Sequence, residues 1–215
     1  MTRLFGYGED ALTYWAITSK LDEILRTLGD KSYPSATIML YRPGFGRRGG
    51  IDLQANMGSF SAEFGEFDAI LGTPQAVYLV ESKRDSPSRT RDYSITLTGL
   101  QSRRFAIMRW YLETWRESRP KDWKTFVARQ ETVFQVKFPG YRMAPAESRL
   151  AQNLEFVLRT LGECGAPVQD VLLFIGQAGS PKPIRVKPAG FKLVKLEYKP
   201  LVSSGYFQIQ NPWTG

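Results

Sequence analysis

Two apolar runs, Phe67 to Leu71 and Val77 to Val80, flank Gly72-Thr73-Pro74-Gln75, and this unit constrains the fold more than any other part of the chain. Apolar residues at consecutive positions indicate strands buried on both faces, and the Gly-Thr-Pro-Gln punctuation joins them as an antiparallel pair. If the strands pair symmetrically about Pro74-Gln75, the sum of partner residue numbers is constant. Asp68 then lies opposite Glu81, and Glu66 opposite Lys83.

Opposed residues share a face, and Glu81 and Lys83 are two apart on one strand, so Asp68, Glu81 and Lys83 are expected to converge. Two carboxylates facing each other at roughly 5 Å between Cβ atoms repel, and a compensating cation is needed. Glu66 is expected to meet Lys83 across the strands.

Composition narrows the chemistry. The chain has no histidine and a single cysteine, Cys164, so an internal disulfide, a nitrogen–sulfur zinc site and the common serine and cysteine triads are excluded. Carboxylate and lysine chemistry remains, and any metal must be held by oxygen, which suits Mg²⁺ or Mn²⁺. Lys plus Arg exceed Asp plus Glu by 29 − 21 = 8, a balance that favours a polyanionic partner. No run approaches the roughly 18 apolar residues of a membrane span, and the acidic pair in MTRLFGYGEDAL interrupts any signal-type stretch, so a cytoplasmic protein without a membrane partner is expected.

Elsewhere the periodicity predicts a first helix over Glu9 to Leu28 stopped by Gly29, and further helices over Leu100 to Glu117, Pro120 to Arg129 and Glu147 to Leu161. Strands are predicted at Ala36 to Tyr41, Ile51 to Asn56, Glu131 to Phe138 and Val171 to Ile175. Three more fall in the tail, at Ile184 to Lys187, Phe191 to Tyr198 and Tyr206 to Ile209.

Phe67-Asp68, followed by Ala76-Val77-Tyr78-Leu79-Val80-Glu81-Ser82-Lys83, resembles the PD-(D/E)xK nuclease superfamily, which includes restriction endonucleases and Holliday-junction resolvases. Phenylalanine stands where the superfamily name has proline. Gly65-Glu66-Phe67-Asp68-Ala69-Ile70 resembles the second-strand motif of several branches, and Gln101-Ser102-Arg103-Arg104-Phe105 is similar to the Gln-x-x-x-Tyr helix motif of the exonuclease-type branch. The resemblance covers about Glu9 to Phe105. It implies Asp68, Glu81, the Ser82 backbone carbonyl and a first-helix glutamate, matched best by Glu9, around one or two Mg²⁺, with Lys83 orienting the attacking water. It also implies DNA as substrate, 5′-phosphate and 3′-hydroxyl products, and frequent homodimers. No small-molecule organic cofactor is expected.

Alternatives stand beside several residues. Glu9 also reads as an ordinary first-turn carboxylate favoured by the helix dipole. Gln101 reads either as a substrate contact or as a residue with no special role. Basic residues gather at Arg47 and Arg48, at Arg84, Arg89 and Arg91, and in the tail from Lys182 to Lys199, where six basic residues face one acidic and Arg185 and Lys187 alternate with Ile184 and Val186. Such a ribbon suits a phosphate backbone, and lysines also guard solvated edge strands.

The expected fold is α/β, with a restriction-endonuclease-like core over 1–178, a mixed central sheet flanked by helices, and a β-rich basic C-terminal extension over 179–215 packed on the core. The expected function is a Mg²⁺-dependent nuclease acting on DNA, of restriction or repair type. The alternatives are a non-catalytic nucleic-acid-binding module that keeps the fold, and a structural protein in which the trio is an ion-paired core.

Overall fold

The hairpin at Gly72-Thr73-Pro74-Gln75 forms the centre of the sheet, in a computed structural model that describes residues 4–46, 61–85, 94–165, 167–179, 185–201 and 205–209. The chain begins with strand β1 (Leu4–Gly6), helices α1 (Gly8–Ser19) and α2 (Leu21–Leu28), and strands β2 (Ile38–Tyr41) and β3 (Gly44–Phe45). Strands β4 (Gly65–Glu66), β5 (Ala69–Gly72), β6 (Val77–Arg84) and β7 (Ser94–Thr96) follow. Helices α3 (Gly99–Ser118), α4 (Trp123–Lys137) and α5 (Arg149–Gly162) come next, and then strands β8 (Val168–Gln177), β9 (Arg185–Lys187), β10 (Lys192–Tyr198) and β11 (Phe207–Ile209).

The fold is α/β with a mixed sheet. Five strands run in the order β10-β8-β6-β5-β2. β5 is antiparallel to both of its neighbours, β2 and β6, whereas β6, β8 and β10 run parallel. Parallel neighbours need a long crossover, and α3, α4 and α5 supply it between β6 and β8. The β5–β6 register is the one expected from symmetry, with Ala69 opposite Val80 and Gly72 opposite Val77. Asp30 holds the turn end of this hairpin: its carboxylate accepts from the Thr73 and Tyr78 hydroxyls, each at 2.7 Å, and from the Ser32 backbone at 2.8 Å.

Alternation along β6 divides its neighbours. Val77 and Leu79 face a core built with Phe105, Met108 and Tyr111 of α3 and Leu154, Leu158 and Leu161 of α5. Tyr78 and Val80 face α1 and α2 through Leu12, Ala16, Ile24 and Leu25. Helices therefore cover both faces, the arrangement that uninterrupted apolar strands require. Among the described residues, no helix is long and apolar enough to cross a membrane.

Local chemistry sets the helix ends. Thr98 caps α3 with a complete capping box, its hydroxyl accepting from the Gln101 N–H while the Gln101 side chain accepts from the Thr98 N–H. Asp122 and Ser148 cap α4 and α5. Gly29 ends α2 in the left-handed conformation, as its position after Leu28 predicts.

Two predicted elements are corrected. The helix expected over Glu9 to Leu28 is two helices with a break at Lys20. The Thr18 hydroxyl bonds back to the Tyr14 carbonyl at 2.7 Å, side-chain competition of a kind that bends helices. The strand expected at Glu131 to Phe138 is the second half of α4, which runs past the predicted end at Arg129. Phe126, Phe134 and Phe138 recur on one helical face and are buried, while Val133 and Val136 are left in water, so packing overrides β propensity.

Several expectations on the C-terminal region fall within the described residues. β10 is an edge strand of the central sheet, β9 pairs with β7, and β11 pairs with β1, so the described part of 179–215 is β-rich and threaded into the rest of the chain. The strand predicted at Ile51 to Asn56 lies outside the described residues, as do Ile184, Arg47, Arg48, Arg89 and Arg91.

Candidate active site

The polar exception inside this sheet lies where β5 begins and β6 runs past it. β6 is apolar and buried from Val77 to Val80, then carries the buried Glu81 and Ser82 and the half-buried Lys83 and Arg84. Asp68 immediately precedes β5, and continuing the register one step sets it against Glu81. Its Oδ2 accepts the Ser82 backbone N–H at 2.7 Å.

Glu81 is only 4% exposed, and its carboxylate is surrounded by donors. Oε1 accepts from Lys83 Nζ at 2.7 Å and from Gln101 Nε2 at 2.5 Å, and Oε2 pairs with the Arg104 guanidinium. Gln101 is thus neither idle nor only a cap: one end of its amide closes the α3 capping box and the other holds Glu81. The expected Glu66–Lys83 pairing does not form. Glu66 belongs to β4 opposite Gly44 and bonds Arg42, because the chain leaves the β5 line before reaching it.

Glu9 arrives from the opposite side of the sheet. It sits in the first turn of α1, and its Oε2 accepts the Arg84 backbone N–H at 3.0 Å while its Oε1 lies 3.9 Å from Lys83 Nζ. Asp68, Glu81, Lys83 and Glu9 therefore share one corner. Arg104 is the member that sequence reasoning missed. It bonds the Glu66 carbonyl and Glu81, and its guanidinium lies 5.0 Å from the Phe67 ring centroid and 5.7 Å from that of Phe105. A signal existed: Arg104 is three residues after Gln101, on the same face of α3.

The electrostatics follow from burial. Removal from water, together with the Glu81 carboxylate, pushes the Asp68 carboxyl up to about 6; Glu9 adds to the rise, while the Ser82 N–H and Lys83 partly offset it. In the parallel register Leu172 stands beside Glu81 and Phe174 beside Lys83, and both join Ile95 and Leu97 in an apolar cluster. That wall lowers the local dielectric and strengthens each charge interaction at the corner.

Among the described residues, no group of three or more His, Cys, Asp or Glu side chains gathers in a metal-ligand arrangement. The donors at this corner are the two carboxylates of Asp68 and Glu81 and nearby backbone oxygens, with Glu9 at its edge. A purely oxygen donor set with an acidic pair still in mutual repulsion fits a hard divalent cation.

Of the basic residues expected at a nucleic-acid surface, Arg84 is half-buried beside the corner, and Arg185 and Lys187 are exposed on β9 while Val186 between them turns inward. No family model, no curated protein and no solved structure matches this chain. What the site does rests on its own atoms.

Proposed function

We propose that this chain is a Mg²⁺- or Mn²⁺-dependent nuclease that hydrolyses DNA phosphodiester bonds, built on a restriction-endonuclease-like core of PD-(D/E)xK type. The observation that carries this reading is the meeting of Asp68 and Glu81 with Lys83 at the end of a buried hairpin. A half-buried Asp68 carboxyl raised by the facing, buried Glu81 is a perturbed pair of the kind that clusters at functional sites.

Asp68, Glu81, the Ser82 carbonyl and Glu9 are the groups that would hold the cation. When bound, a divalent ion at such a site polarises a phosphoryl oxygen and makes a water more acidic. The remaining work belongs to the chain. Lys83 Nζ, held between Glu81 and Glu9, orients the attacking water and offsets charge gathering on the phosphate oxygens. Gln101 and Arg104 fix the Glu81 rotamer, so the carboxylate does not reorganise during the reaction. Leu172 and Phe174 exclude bulk water from one side.

A second reading, a non-catalytic nucleic-acid-binding module with the same fold, is favoured by one observation. The Glu81 carboxylate is already matched by Lys83, Gln101 and Arg104, a closed network that stands without a metal. Incubation of supercoiled plasmid with the protein in Mg²⁺ and in EDTA separates the two. Nicking in Mg²⁺ that disappears in EDTA and in Asp68→Ala supports the nuclease. Binding without nicking under Mg²⁺ or Mn²⁺ supports the module.

A further inference from the structure

Beside this corner Tyr7 and Tyr206 form an aromatic pair, with ring centroids 5.1 Å apart and planes inclined by 36°. They are 55% and 48% exposed, so both rings present surface to solvent. The Arg84 guanidinium lies 5.7 Å from the Tyr7 ring centroid, so a cation adjoins the pair.

The pair is tied to the corner from two sides. Tyr7 is the N-cap residue of α1, two positions before Glu9. Arg84 follows Lys83, and its backbone N–H is the one that Glu9 accepts. Tyr206 is delivered by β11, whose Phe207 is the register partner of Gly6 in β1, so strands from distant parts of the chain hold the rings together.

We propose that Tyr7, Tyr206 and Arg84 form a binding subsite for an unpaired nucleotide, stacking its base next to the phosphate taken at Asp68, Glu81 and Lys83. This rests on the nuclease reading and narrows its substrate to DNA with unpaired nucleotides at the cut. A base inside a duplex is stacked on both of its own faces and offers only its edges in a groove. An unpaired base has a free π-face for a tyrosine, and its 5′ or 3′ phosphate meets the neighbouring arginine. A purely apolar protein partner would leave the Arg84 cation without a counterpart, whereas a polyanion with π-faces answers both features.

The test is fluorescence anisotropy of the full chain in EDTA, with labelled oligothymidylate and with a blunt duplex of equal length. Tyr7→Ala and Tyr206→Ala each weaken single-strand binding by roughly 10-fold and leave duplex binding near the wild-type value, while Tyr206→Trp retains it. Both tyrosines are exposed, and thermal melts of the variants check that folding is kept. Unchanged single-strand binding in both alanine variants, or equal losses on single strand and duplex, overturns the subsite. If plasmid nicking in Mg²⁺ persists alongside such a result, the nuclease reading survives the loss of the subsite. Tyrosine-dependent single-strand binding in a wild type that cleaves nothing keeps the subsite and overturns the nuclease. No affinity for either oligonucleotide overturns the subsite, and absence of nicking in Mg²⁺ as well overturns the nuclease reading with it.

Discussion

Asp68 accepts the backbone N–H of Ser82 at 2.7 Å across the β5–β6 pair, and this hydrogen bond holds its carboxylate on the side facing Glu81. Half-buried and facing the buried Glu81, the Asp68 carboxyl holds its proton more tightly than a free carboxylate does.

Its effect on stability depends on pH in a defined direction. The Asp68 carboxyl is raised to about 6 in the folded protein, above the ordinary carboxylate value it regains on unfolding. The folded state therefore binds this proton more tightly, and the contribution of Asp68 to stability is fully present below about pH 4 and is lost as pH rises towards 6. Asp68→Asn removes the ionisation. In EDTA it should stabilise the protein by on the order of 2 kcal/mol at pH 8 and by little at pH 3.5. Urea denaturation at the two pH values measures this, and equal differences at both would contradict it.

Arg104→Ala leaves Glu81 buried without its guanidinium partner and strips a cation from the faces of Phe67 and Phe105. Breaking a buried ion pair on one side costs about 3 kcal/mol. Arg104→Lys should recover only part of this, because a lysine cannot bond the Glu66 carbonyl and Glu81 in the same fork. Calorimetric melting of both variants ranks them.

Lys83→Ala separates binding from cleavage. Plasmid affinity in EDTA should change little, while the rate of nicking in Mg²⁺ should fall by roughly 10²- to 10⁴-fold if Lys83 orients the attacking water and offsets charge on the phosphate oxygens. A loss confined to affinity would assign Lys83 to phosphate binding alone.

Gly165→Ala probes the support beneath the hairpin. A Cβ at 165 would lie 1.9 Å from the Gln75 carbonyl carbon, in a place where the Gly165 N–H donates to the Thr73 carbonyl at 2.8 Å. Backbone meets backbone here, and neither side can rotate out of the way. The variant should lose about 3 kcal/mol of stability, read by urea denaturation.

The exposed pair on β9 gives an ionic-strength prediction. Replacing Arg185 and Lys187 together by alanine should weaken DNA binding for all sequences alike and reduce the slope of log K against log salt by about 2. An unchanged slope would mean that β9 does not lie along the phosphate backbone.

Much of the hairpin is legible in the sequence alone. The symmetric turn Gly72-Thr73-Pro74-Gln75 with apolar runs on both sides determined the register, and through it the facing of Asp68 and Glu81, because pairing about a short turn leaves one arithmetic solution. The Gly29 stop, the long α3 and the buried β8 followed from local patterns for the same reason: caps and periodicity act within a few residues. The absence of histidine likewise limited the chemistry to oxygen ligands and lysine. Only the tertiary structure decided that Glu66 turns to Arg42, that Thr132-Val133-Phe134 is helix, and that Arg104 and Gln101 close around Glu81. It alone brought Tyr206 to Tyr7 across nearly the whole chain. Contacts between residues far apart in sequence depend on how whole helices and strands dock, and no local pattern encodes the docking.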